Sequence, residues 1–158
     1  MAVGLVISLL VVCFGSALFI RFDTSVRISS SLLLPVTALC VAIARLAKQR
    51  FFTPADIDGS ALTSGTDRAK LLQALLQNTL EQLTLAIPVY LAALFSSSNN
   101  LQAAVPVCAF TFLLGRILFF TTYQRGAGAR ALGFALTFYP TVLLLIWQLW
   151  LLLSKVVF

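Results

Sequence analysis

Glu81 is the single glutamate of a 158-residue chain, and it lies inside an apolar run, Leu71–Phe95, LLQALLQNTLEQLTLAIPVYLAALF. The run is long and apolar enough to cross a bilayer. A carboxylate at membrane depth costs roughly 2.5–3.5 kcal/mol on the mildest insertion scales unless it is paired or hydrated. Positions three and four apart share a helix face, so Ala74, Asn78, Glu81 and Leu85 form one stripe, flanked by Gln77, Gln82 and Thr84. That stripe is expected to face other helices or a polar cavity rather than lipid. Asn78 and Glu81 then either hold a ligand or act as interhelical hydrogen-bond partners, at about 0.6–2 kcal/mol each.

The next apolar run supplies the opposite charge. Arg116 follows Gly115 within Leu101–Phe120, and the run continues into TTYQRGAGAR, Thr121–Arg130. Arg116 either pairs with Glu81 across a bundle or meets a ligand. Arg125 and Arg130 read as snorkelling anchors at a span end or as ligand groups, and Tyr123 as an interfacial aromatic or a ligand contact. Gly126 and Gly128 form a GxG with no strand before it, which is a turn rather than a dinucleotide fingerprint. The chain has no histidine, which removes His-based acid–base chemistry and His–metal or haem ligation. Cys13, Cys40 and Cys108 each sit in an apolar run outside any CxxC pair. They are expected to be buried, inert thiols, and no metal site is indicated.

The elements that must position these residues follow from composition. Hydrophobic residues make up 60% of the chain, charged residues 10%, and mean hydropathy is +1.01, against about 25% charged residues in soluble domains. The fold class is an all-α integral membrane protein. Five spans are expected: Met1–Ile20, Ser30–Ala47, Leu71–Phe95, Leu101–Phe120 and Leu132–Val157. No Lys or Arg precedes the first run and no clean small-x-small site precedes Arg21, so a retained helix is expected rather than a signal peptide. Phe51–Asp67 is the one long hydrophilic segment, with Thr66 or Asp67 as N-cap of the helix that follows. Pro35 falls in the first turns of its span, where proline is least harmful.

The net charge of +6 sits at span ends. No basic stripe with interleaved aromatics exists on a polar surface, so nucleic acid is not an expected partner. Arg45, Lys48, Arg50, Arg68, Lys70, Arg125 and Arg130 lie on one side, and Arg21, Arg27 and Lys155 on the other. The positive-inside rule puts the N-terminus in the cytoplasm and the C-terminus outside, which is the inner or plasma membrane for a bacterial protein. Asn78, Glu81, Arg116 and Tyr123 then converge in the cytoplasmic half of the membrane. That is a site for an anionic, peptide-like or phosphate-like small molecule supplied from the cytosol. A transporter or channel is disfavoured, because there is no inverted repeat and a single intramembrane acid.

Two motifs in order, Asn78-Thr-Leu-Glu81 on the third span and Gly115-Arg116 followed by Tyr123 and Arg130, resemble the MAPEG family, membrane-associated proteins in eicosanoid and glutathione metabolism. The loop beginning FFTPAD resembles the family's first cytosolic loop. The resemblance covers roughly Ser30 to the C-terminus. It implies a MAPEG-like four-helix bundle over 30–158 and an extra N-terminal transmembrane helix over 1–20. It also implies a homotrimer that binds glutathione between protomers. By resemblance, Asn78 and Glu81 would hold the peptide, with Glu81 at its amino group and Tyr123 on the same ligand. Arg116 would help to position it, and Arg45 or Lys48 would meet its carboxylates. Arg130 would sit by the sulfur and stabilise the thiolate, the catalytic role.

The implied activity is a glutathione-dependent transferase or peroxidase, with glutathione as co-substrate, acting on lipophilic electrophiles or lipid hydroperoxides from the bilayer. Ala74, Gln82 and Phe119 replace an arginine, a tyrosine and a tyrosine or histidine common in the family, as in a divergent bacterial-type or mattrin-like member. The alternative is a non-catalytic trimeric membrane scaffold or lipid-binding protein with Glu81 locked in an ion pair.

Overall fold

A computed structural model describes residues 1–59 and 64–157, and every regular element among them is helical. The order is α1 (Ala2–Phe14), α2 (Ser16–Phe19), α3 (Thr24–Phe52), α4 (Asp67–Leu94), α5 (Asn99–Thr122) and α6 (Ala127–Val157), with 3-10 turns at Pro54–Asp56 and Tyr123–Arg125. Among the described residues, three helices are long and apolar enough to cross a membrane: Thr24–Phe52, Asn99–Arg125 and Ala127–Val156. Such a chain is an integral membrane protein. α4 matches them in length at 28 residues, but Gln77, Asn78, Glu81 and Gln82 in its middle keep it from matching them in apolarity.

The first expected span differs from the expectation. Met1–Ile20 divides at Gly15 into α1 and α2. The 13 residues of α1 rise about 20 Å at 1.5 Å each, short of a hydrocarbon core of about 30 Å. Gly15 keeps right-handed helical dihedrals, φ −63° and ψ −27°, and lies against Val107 of α5. α1 itself packs on α6 and α5. Gly4 meets Ala135 there with no room for a Cβ, and the buried Ser8 hydroxyl returns its proton to the Gly4 carbonyl at 2.7 Å.

α3 begins six residues before the expected Ser30, so Pro35 lies in the helix interior instead of the first turns. The kept backbone bond Arg27 N–H to Asp23 O, 3.0 Å, closes the extra turn. Arg27 is nine-tenths buried and donates to Asn99 Oδ1 at 2.7 Å, tying the start of α3 to the start of α5. Thr66 is the N-cap of α4, its Oγ1 accepting from Ala69 N at 3.2 Å.

The core forms around α5, which packs on α3 and α6. Its inward positions Ala103, Ala104, Cys108, Ala109 and Gly115 are small and buried. Small residues let helix backbones approach closely, which is how membrane helices gain packing energy. The closest approach is reciprocal. A Cβ on Gly133 would lie 2.5 Å from the Phe119 amide nitrogen, and one on Gly115 would lie 2.9 Å from the Gly133 carbonyl. Of the three thiols, only Cys108 is buried; Cys13 and Cys40 lie exposed on the protomer surface. An apolar run alone does not say which face of its helix turns inward.

The hydrophilic segment is organised by Asp56. Its side chain is buried, accepting from Gln49 Nε2 at 2.9 Å, from the Thr66 amide at 2.6 Å and from the Thr66 hydroxyl at 2.8 Å. The Gln49 hydrogen bond and those from Thr66 hold the carboxyl below its usual pKa. The same Thr66 hydroxyl donates to Asp56 and caps α4, so the loop and the helix start are one hydrogen-bonded unit.

Candidate functional site

The glycine contact between α5 and α6 sets two side chains against each other. Arg116 stands one residue after Gly115, and Thr137 stands one turn after Gly133. Arg116 is fully buried. Its Nη2 donates to Thr137 Oγ1 at 2.7 Å and its Nη1 donates to Asn78 Oδ1 at 2.9 Å, so one guanidinium joins α4, α5 and α6. Arg116 thus meets Asn78 and Thr137, not Glu81. The pairing left open between Arg116 and Glu81 does not form.

This bond has a chemical consequence. A guanidinium has donors and no acceptor, so it admits only the carbonyl end of Asn78. The Asn78 amide nitrogen, with both its protons, is left for the other side. Asn78 lines a cavity of about 310 Å³ with Phe119, Tyr123, Arg130, Phe134 and Met1. The Arg130 guanidinium lies over the Tyr123 ring, 4.5 Å from its centroid. Tyr123 meets Phe119 edge to face at 5.2 Å, and Phe119 carries the Arg116 guanidinium at 4.5 Å on its own ring. Two edge-to-face rings, Phe119 and Tyr123, are therefore flanked by a cation on each side from the bundle interior to the cavity. Each cation–π contact is worth about 0.5–2 kcal/mol, more where water is excluded.

The lining offers an amide donor, a phenol and a guanidinium, and no carboxylate. Such a wall suits an anion with hydrogen-bond acceptors. A guanidinium beside a thiol lowers its pKa from about 8.5 and favours the thiolate.

The other expected site residues stand elsewhere. Glu81 is exposed on the protomer surface and accepts from Gln77 Nε2 at 3.0 Å. Three residues along a helix rotate a side chain about 60° from the starting position, at 3.6 residues per turn. With Asn78 turned inward to Arg116, Glu81 falls on the outer edge beside Gln77, Leu80 and Thr84, all exposed. Gln77 also lines a second cavity of about 380 Å³, between the loop and the outer face of α4, with Arg50, Asp56, Lys70, Gln73 and Ala74. Arg45 and Lys48 line a third, of about 330 Å³, with Arg68. It shares no residue with the Arg130 cavity.

The structure thus joins Asn78, Arg116, Tyr123 and Arg130, and sets Glu81, Arg45 and Lys48 apart within one protomer. Thr137 and Phe119 complete the joined group, and sequence reasoning did not include them as site residues. Thr137 was findable. A buried arginine needs acceptors, and Thr137 and Thr141 are the threonines in the apolar part of α6.

A model of the MAPEG family matches residues 26–150, a range that holds every member of this group and leaves α1 and α2 outside. No curated protein and no solved structure matches the chain. With that match over most of its length, and with Asn78 and Arg116 bonded to each other at the heart of the bundle, the chain belongs to the MAPEG family.

Proposed function

We propose that the protein is a glutathione-dependent membrane enzyme of the transferase or peroxidase type, acting on lipophilic electrophiles or lipid hydroperoxides that enter from the bilayer. One observation carries this reading: the acid-free cavity where Asn78, Tyr123 and Arg130 converge. Arg130 is the catalytic residue. Its guanidinium holds the sulfur as thiolate while the thiol proton passes to water. The thiolate then attacks an electrophilic carbon and displaces its leaving group, or attacks a hydroperoxide, breaking the O–O bond and releasing the alcohol, with a second glutathione completing the disulfide and water. Asn78, with its carbonyl held by Arg116, presents N–H donors to the peptide, and Tyr123 adds its hydroxyl.

Glu81 fits this reading through assembly. A carboxylate exposed on a membrane helix is costly toward lipid, and a neighbouring copy would cover it. We therefore infer a homotrimer in which Glu81 meets the ligand's amino group at a protomer boundary. Arg45 and Lys48 share no cavity with Arg130, so this reading gives neither of them to the ligand's carboxylates. The basic loops favour a cytoplasmic N-terminus and an outer C-terminus. In this reading α4 completes a four-helix bundle with α3, α5 and α6, and α1 with α2 forms the additional fifth span.

A calorimetric titration of the purified protein with glutathione tests the proposal. Binding at millimolar concentration or below is expected, with loss of turnover in Arg130→Ala. Absence of binding would instead favour the second reading, a non-catalytic trimeric scaffold or lipid-binding protein. Phe119 is the observation behind that reading: it is packed between Arg116 and Tyr123 and offers the ligand no hydrogen bond.

A further inference from the structure

We infer that the cleft walled by Arg45, Lys48 and Arg68 binds a phosphate monoester, presented as the headgroup of an anionic phospholipid in the adjoining leaflet. Three cations from two helices surround one cavity of about 330 Å³, and no acidic residue lines it. Gln49, Phe52, Thr53 and Leu72 make up the rest of its wall. Lys70, outside the cleft, pairs with Asp67 at 3.5 Å. Arg45 turns to the ring of Phe120, 5.4 Å from its centroid, and not to an acid.

The nearby carboxylate is held away from the cleft. Asp56 accepts from Gln49 and twice from Thr66, and it lines the cavity on the other side, with Arg50 and Lys70. The three cations are exposed, and an anion placed among them would be attracted by all three. One phosphate oxygen set can accept from two guanidinia and an ammonium together. Thr53 Oγ1 accepts from Gln49 Nε2 at 3.0 Å, which leaves its own proton free to donate.

The lipid is favoured as source by what borders the cations. Phe51 and Phe52 close α3 with exposures of 77% and 72%, beside polar residues and at the end of a helix apolar enough to span a membrane. Exposed rings at that level belong in the headgroup–acyl boundary. Leu72 and Phe52 give the glycerol and first methylenes an apolar wall. Basic pockets between helices on the positive side of a membrane protein hold anionic headgroups in this manner.

The test uses the full-length protein in neutral detergent, titrated with short-chain phosphatidic acid, with phosphatidylcholine of the same chains, and with glycerol 3-phosphate. Phosphatidic acid is expected to bind about tenfold or more tighter than phosphatidylcholine, from its extra charge and its open phosphate oxygens. The double variant Lys48→Gln/Arg68→Gln should lose about tenfold of that affinity, while Arg125→Gln, a basic-side cation outside the cleft, should bind like the parent.

Equal binding of the two lipids overturns the site. So does an Arg125→Gln loss as large as that of the double variant, which would mean diffuse attraction. Glycerol 3-phosphate binding as tightly as phosphatidic acid overturns the lipid as source. Arg130→Ala should leave phosphatidic acid binding intact, so this inference and the glutathione reading fail separately.

Discussion

Arg116 and Glu81 are the two intramembrane charges of the resembling motifs, and the fold treats them oppositely. Arg116 has no exposed surface and is met by Asn78, Thr137 and two aromatic rings. Glu81 is exposed and is met by Gln77 from its own helix. The difference teaches where the protomer is complete. The α4–α5–α6 junction holds its cation with two hydrogen bonds and two ring faces and leaves the buried Nε without a partner, so it is scaffold and cavity wall at once. The outer edge of α4 leaves its carboxylate exposed, held by the Gln77 amide of the same helix.

The contrast breaks most completely at the glycine joint that creates it. Gly133→Leu would drive a side chain into the Phe119 backbone and separate α5 from α6. We expect loss of folded protein, read by size-exclusion chromatography in detergent. Arg116→Ala follows in size. It removes the donor to the Asn78 carbonyl and opens a void in the interior, while Thr137 keeps its bond to Phe134 O at 2.8 Å, and should cost about 2–4 kcal/mol in an unfolding titration. Glu81→Gln is its counterpart. In detergent-dispersed monomer it should change stability by less than about 0.5 kcal/mol, as surface substitutions do, yet weaken glutathione binding in the assembled protein. If Glu81→Gln proved as destabilising as Arg116→Ala, the two charges would not differ in the way described.

The loop that closes α3 onto α4 sharpens the comparison with pH. Asp56 is held below its usual value of 3.8, so its contribution to stability is present above that value. It is lost as pH falls through the lower folded value. Thermal melts of the parent should show added acid sensitivity below about pH 4, and Asp56→Asn should remove that sensitivity while lowering the melting temperature at neutral pH. The smallest effect is expected from Tyr123→Phe. It keeps the ring between Phe119 and Arg130 and removes only the hydroxyl, so stability should hold within about 0.5 kcal/mol while glutathione affinity falls.

Much of this was legible from residue order. The apolar runs located α3, α5 and α6, and Thr66 announced the start of α4 as an N-cap. The convergence of Asn78, Arg116 and Tyr123 followed from placing two polar helices in one half of the membrane. What was not legible depends on helix rotation and on breaks that leave no compositional mark. Gly15 sits in an unbroken apolar run, and only its packing on Val107 accompanies the interruption. Glu81 and Asn78 share a stripe in sequence, but the rotation of α4 sends one inward and the other outward. Arg45 and Lys48 are on the same side as Arg130, yet they line a cleft with Arg68 and share none of the residues that enclose Arg130.

The central claim is that the cavity beside Arg130 holds a sulfur as an anion, and ultraviolet difference spectroscopy of glutathione added to the protein at neutral pH addresses it directly. A thiolate absorbance that saturates with glutathione and disappears in Arg130→Ala is expected. No thiolate signal at saturating glutathione, or an undiminished signal in Arg130→Ala, would contradict it.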